Sequence, residues 1–236
     1  FIFMGYRAIT SPSDVPNREE PISTLINSIL PDRAASGYIR FLPQDSPAKC
    51  LDGSSPAYYF RHGSGSGINK WIVLFEGGGW CYDLEQCYLR SKTVLGSSKS
   101  YPHSIPKDKM DFYISENENT NPQMFNWNTV LVKYCDGGSY AGDTVTSYKG
   151  SRIHFRGKAN REETIRSLFS PPGQDHFKTF VNTVPTEMSV RGGNMSSAEE
   201  IVIAGCSAGA LGVLLGIDQI AESIRSTAAR HGNDKV

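Results

Sequence analysis

Much is missing from this 236-residue chain, and each absence closes a class of function. It has no excess charge of either sign: 24 Lys and Arg balance 24 Asp and Glu. A balanced chain has no global field to draw in nucleic acid or a cationic partner. No apolar run approaches the roughly 20 residues that span a bilayer. None of the five cysteines (Cys50, Cys81, Cys87, Cys135, Cys206) sits in a CxxC pair, so the sequence offers no zinc site, and no metal or cofactor is expected. Gly63–Lys70 has the glycines of a phosphate loop but not its Gly-Lys-Ser/Thr ending, so it reads as a flexible hairpin loop. The opening FIFMGYRAIT is too short and too polar for a signal peptide, and it does not start with Met, so the lack of a leader here carries no information on compartment. No internal repeat or low-complexity tract occurs.

What is present is ordinary for a folded domain: 39% hydrophobic and 20% charged residues. Residues 1–46, rich in Pro, Ser and charge, read as a flexible lead-in, with a short helix possible at 21–30 behind Pro21. Residues 47–236 form the domain. Within it, 57–60 (AYYF), 71–75 (WIVLF), 129–134 (TVLVKY) and 200–204 (EIVIA) have the apolar, β-branched character of buried strands. Segment 161–169 has helical spacing. Segment 170–198 carries Pro171, Pro172, Pro185, Gly192 and Gly193 with no period, and reads as an exposed insertion. It holds the sequon Asn194-Met195-Ser196, a candidate glycosylation site. From 208 to 230 a long helix is predicted, with Leu211, Leu214, Leu215, Ile217, Ile220, Ala221 and Ile224 forming its buried face.

The chemistry lies between the last strand and that helix. Gly205-Cys206-Ser207-Ala208-Gly209 matches G-x-S-x-G in a strand–turn–helix context. So sharp a reversal strains the serine backbone and lifts its hydroxyl clear of the sheet. It also sets the serine at a helix N-terminus, where free N–H groups favour developing negative charge. Ser207 is therefore the candidate nucleophile, and Cys206 beside it is expected to point inward and be buried. Acyl transfer also needs an oxyanion hole. One donor is the N–H of Ala208. A second is expected from a glycine-rich loop after an earlier strand, and WIVLFEGGGWCY supplies Gly77-Gly78-Gly79. Asp136, Ser139 and Asp143, in the loop CDGGSYAGD, are candidates for the mouth of the site or for a purely structural turn. Cys81 and Cys87 are close enough in sequence to close a short loop, and disulfides are favoured over the alternative of reduced, buried thiols.

These motifs together resemble the pectin acetylesterase family, which includes the Notum-type carboxylesterases. The resemblance rests on ordered blocks: CLDGSSPAYYF at 50–60, GSGSGINKWIVLFEGGGWCYD at 63–83, RSKTVLGSSK at 90–99, FNWNTVLVKYCDGGSYAGD at 125–143, FRGK at 155–158 and GCSAGALGVLL at 205–215. It implies an α/β-hydrolase-like fold, a mostly parallel sheet flanked by helices and truncated at the C-terminus. It further implies Ser207 as nucleophile, Gly78, Gly79 and Ala208 as oxyanion-hole donors, disulfides Cys81–Cys87 and Cys50–Cys135, and a secreted or cell-wall monomer. The implied substrate is an acetyl ester on pectin or a related polysaccharide. A fatty acyl group on a protein, or a non-catalytic binding role, are the alternatives. The family places its catalytic Asp and His well beyond the elbow, so this chain alone is expected to be inactive. Asp218 lies roughly 16 Å along the helix from the elbow, and His62, His103, His154 and His176 precede it, against the chain order of such triads.

Overall fold

The computed structural model describes residues 35–110, 112–170 and 194–233. The predicted helix at 21–30 lies outside them. Among the described residues eight strands and three α-helices are formed. Strands β1 (Ala35–Phe41), β2 (Ala57–Arg61), β3 (Lys70–Phe75), β4 (Ser104–Pro106), β5 (Asn128–Val132) and β8 (Glu200–Gly205) make one sheet in the order β4-β1-β2-β5-β3-β8. β6 (Thr144–Tyr148) and β7 (Ser151–Phe155) form a separate hairpin. The helices are α1 (Leu84–Arg90), α2 (Gly157–Leu168) and α3 (Ala208–Arg230).

The α/β class expected from the sequence is the one observed, with a sheet of mixed character. β3 pairs in parallel with β5 on one side and β8 on the other. β1, β2 and β4 continue it through antiparallel pairs. Side chains alternate across β3, as a pleated strand requires. Trp71, Val73 and Phe75 join one core with Ile165 and Leu168 of α2 and Ile220, Ile224 and Ala228 of α3. Ile72 enters a second core with Tyr59, Met110, Ile114, Trp127 and Leu131. Both α2 and α3 therefore cover the same face, and the irregular stretch around 110–127 covers the other. Burial on both faces is why WIVLF and the VLV of β5 read as unbroken apolar runs.

Four expectations need correction. Residues 35–46 are not lead-in: Ser36 and Ile39 of β1 are buried, and β1 pairs with β2 and β4. That pairing is non-local, so the polar composition around it hides the strand. Residues 62–69 do not close a hairpin, because β5 inserts between β2 and β3. The expected insertion at 170–198 lies largely outside the described residues, but its last part is core rather than exposed: Met195 and Ala198 are fully buried in the α3 cluster.

The fourth concerns α3. Its limits match expectation, and Ile220 and Ile224 are buried as expected, but the rest of the expected face is not. Leu214 and Leu215 are 74% and 62% exposed, and Leu211 and Ile217 are exposed as well. The buried side runs through Ala208, Gly212, Gly216, Ile220, Ile224 and Ala228, spaced four apart, with Gly209. Close approach, not bulk, selects this face. A methyl on Gly209 would lie 2.1 Å from the Phe75 carbonyl oxygen, and one on Gly216 would lie 2.4 Å from the Arg161 guanidinium. The leucines are the larger side chains and turn away.

Candidate active site

The three parallel strands point their C-terminal ends the same way, and a loop leaves each. Open α/β sheets bind ligands at that edge. After β8 the chain reverses at Cys206 and Ser207 and enters α3. Ser207 has φ 52° and ψ −120°, a conformation that ordinary L-residues avoid. Two contacts force it. The Cys206 N–H donates to the Phe75 carbonyl at 3.1 Å, and the Gly209 N–H to the Cys206 carbonyl at 2.8 Å. Ser207 is exposed, and its hydroxyl makes no hydrogen bond to another described residue. Ala208 behind it is buried at the first position of α3, where a backbone N–H has no helical partner.

The loop after β3 packs directly on this reversal. A methyl on Gly77 would lie 2.8 Å from Ser207 Cβ and 2.4 Å from the Cys206 carbonyl oxygen. The next two glycines are held by their carbonyls. Arg90 donates from Nη2 to the Gly78 oxygen at 2.7 Å, and the Tyr134 hydroxyl donates to the Gly79 oxygen at 2.9 Å. In a trans peptide the following N–H points opposite to the carbonyl. The Gly79 N–H is thereby turned away from Arg90. The N–H groups of Gly78 and Gly79 meet no acceptor among the described residues. Gly79 has φ +66°, with open space where a Cβ would stand.

The loop after β5 completes the wall. The Tyr134 N–H donates to a carboxylate oxygen of Glu76 at 3.1 Å, and the Tyr140 hydroxyl lies 3.2 Å from the carbonyl oxygens of both Glu76 and Val132. Trp80 donates from Nε1 to the Ser139 hydroxyl at 2.7 Å, joining the two loops. Ser139 and Tyr140 both have positive φ, 56° and 54°. Asp136 holds them there: its Oδ2 accepts from the N–H groups of Gly138 and Tyr140 at 3.1 and 3.0 Å. The carboxyl is fully buried and its Oδ1 has no hydrogen-bond partner among the described residues. Burial pushes its pKa up to about 6, against the pull of those backbone N–H groups.

Of the sequence candidates, Ser207, Ala208 and the glycine loop come together, whereas Ser139 is buried, its hydroxyl accepting from Trp80. Asp136 is an interior brace. Asp143 lies apart, in an ion pair with Arg156 at 2.7 Å. Cys206 is not buried as expected but exposed. Disulfides join Cys50 to Cys135 and Cys81 to Cys87. Asn194 caps a short turn, its Oδ1 accepting the Ser196 N–H at 3.1 Å. Sequence reasoning missed Gly77 as the contact residue, and also Arg90, Trp80 and Tyr134. The signal for Trp80 was its place in the EGGGWC string; Arg90 has none.

A model of the pectinacetylesterase family matches residues 33–183. Pectin acetylesterase 11 of Arabidopsis thaliana is 38% identical over 182 residues, 77% of this chain and 40% of that protein. The chain belongs to the pectinacetylesterase family. Pectin acetylesterase 5 of the same plant is 33% identical over 224 residues, 94% of this chain and 42% of its own length. The palmitoleoyl-protein carboxylesterase NOTUM of Mus musculus is 31% identical over 175 residues, 73% of this chain and 29% of that protein. The chain thus spans about two fifths of the length of the plant pectinacetylesterases it matches. Among the described residues no helix is long and apolar enough to cross a membrane.

Proposed function

We propose that this chain carries the nucleophile and oxyanion hole of a secreted serine carboxylesterase that removes acetyl groups from pectin or a related cell-wall polysaccharide. The observation that carries the proposal is the contact of Gly77 with Ser207: a strained, exposed serine lies against a loop with unpartnered amides. Ser207 Oγ attacks the ester carbonyl carbon and passes its proton to an imidazole supplied from outside the described residues. The carbonyl oxygen becomes an oxyanion that the N–H groups of Gly78, Gly79 and Ala208 receive. As the C–O bond breaks, the sugar alcohol leaves with the proton. Water then releases acetate by the reverse sequence.

The plant relatives, named as pectin acetylesterases, support acetyl over a fatty acyl group. The two disulfides fit an oxidising compartment. The test uses p-nitrophenyl esters of rising chain length with the longer natural protein that contains this chain. Acetate is expected to be the preferred acyl group, and Ser207→Ala to abolish turnover. A preference for long acyl chains rejects the acetylesterase assignment; full activity in Ser207→Ala rejects the serine mechanism.

A further inference from the structure

A second concave feature lies off the elbow and shares no residue with it. The segment after α1, the β7 strand and Asp52 enclose a cleft of about 720 Å³. Its charged groups are Lys92, Lys99, Arg152, His154 and Asp52, with Tyr88 forming part of the wall. Lys99 pairs with Asp52 at 3.0 Å. Neither Lys92 nor Arg152 forms an ion pair with any described carboxylate; the Lys92 ammonium sits 3.9 Å over the Tyr88 ring instead. Two cations therefore line the cleft without an ion-pair partner among the described residues, although Lys92 and Glu85 feel each other's charge. His154 senses the surplus: partial burial, then the charges of Arg152, Lys49 and Arg156, lower its pKa against the opposing pull of Asp52. The remaining lining is serine and threonine hydroxyls.

We propose that this cleft binds a run of uronate units of an anionic polysaccharide, with Lys92 and Arg152 receiving the carboxylates. The chemistry selects that ligand class. Exposed cations free of ion pairs call for an anion. A lining dense in hydroxyls suits a ligand that is itself dense in hydroxyls. Asp52 argues against a multiply charged phosphate or sulfate cluster and serves as an acceptor for sugar O–H groups. Burial alone would raise its carboxyl, but hydrogen bonds from Ser54, Ser97 and Lys99 outweigh that and hold it below its ordinary pKa. It therefore stays ionised. Arg90 links the cleft to the elbow region, donating both to the Leu95 carbonyl of the cleft segment and to Gly78. The proposal deepens the polysaccharide assignment above and rests on it.

The experiment is calorimetric titration of the full chain with a short, fully de-esterified oligogalacturonate, which has no acyl group to hydrolyse. Binding is expected, weakening as salt rises. The double substitution Lys92→Gln with Arg152→Gln is expected to lower affinity about tenfold or more. Both residues are exposed, so the fold should tolerate the change. The charge-conserving pair Lys92→Arg with Arg152→Lys should retain binding. Lack of binding, equal binding by the glutamine double variant, or equal binding of a neutral oligogalactan overturns the cleft proposal. Equal or tighter binding of a sulfated oligosaccharide overturns its assignment to uronates. The two proposals fail separately: p-nitrophenyl acetate hydrolysis without oligogalacturonate binding removes only the cleft, and binding without ester hydrolysis removes only the esterase.

Discussion

The loops that follow β3 and β5 face each other across the same site, yet they reach their shapes by different means. The β3 loop is built by omission. Gly77 has no side chain because the reversal at Cys206 and Ser207 occupies that space, and Gly79 takes a positive φ that glycine adopts without strain. The β5 loop is built by constraint. Ser139 and Tyr140 occupy positive φ with side chains attached, at a cost of about 1–2 kcal/mol each. They are held by Asp136, by the Tyr134 hydroxyl bonded to the Ser139 N–H at 2.9 Å, and by the packing of Tyr140 against Phe75. Their staples differ likewise. Cys81–Cys87 spans 6 residues and acts locally; Cys135–Cys50 spans 85 and ties the β5 loop to the chain ahead of β2. A loop made of glycine is shaped by its neighbours' volume, whereas a loop of strained residues depends on its bonds.

The contrast can be broken at several points. The largest effect should follow Cys50→Ala with Cys135→Ala: closing an 85-residue separation is worth about 4.6 kcal/mol in the chain-entropy picture. Urea unfolding reads the loss, and a loss under about 1 kcal/mol would mean the β5 loop does not need its long-range tie.

Next is the Asp136 carboxyl, raised from 3.8 to about 6 in the folded state. The folded protein then holds its proton more tightly than the unfolded chain. Stability from this group is greatest below pH 4, falls as pH rises through 4 to 6, and levels off above that, by about 3 kcal/mol in all. Asp136→Asn remains neutral and should flatten that slope; an unchanged slope in unfolding curves across pH would remove Asp136 as its source.

Gly77→Ala comes third. Its methyl meets backbone rather than a mobile side chain, so the glycine loop and the serine turn must separate. A displacement of that order costs about a hundredfold in ester turnover, measured with p-nitrophenyl acetate in the longer protein; near-normal turnover would show that the contact is not needed.

The smallest effect belongs to Cys81→Ala with Cys87→Ala, about 2.4 kcal/mol for its short closure. If the two disulfide pairs prove equal in urea unfolding, the local and long-range ties do not differ in kind.

The parts of this molecule that were legible in the sequence are those whose cause is local. β3, β5 and β8 announce themselves as apolar runs, and α3 begins and ends where its periodicity does. The serine turn was legible because five consecutive residues specify it. Non-local causes were not. β1 is recognisable only through its partners β2 and β4. The β6–β7 hairpin, turning at Lys149 and Gly150 with positive φ, has weak strand character and was passed over. The exposed leucines of α3 misled because periodicity identifies an apolar face without saying whether a glycine face will pack closer. Arg90 is one arginine among many until its guanidinium is seen between two carbonyls.

The seating of α3 has a mechanical consequence. Gly209 rests on the Phe75 carbonyl, Gly77 rests on the Cys206 carbonyl, and the Cys206 N–H is bonded back to Phe75. Strand end, glycine loop and helix start therefore move as one block, with no slack between them. An incoming ligand cannot prise that floor apart to make room for itself. Discrimination among ligands must be exercised by the rim, where Trp80 stands exposed, and swapping rim residues is the route by which the same floor would take ligands of different size.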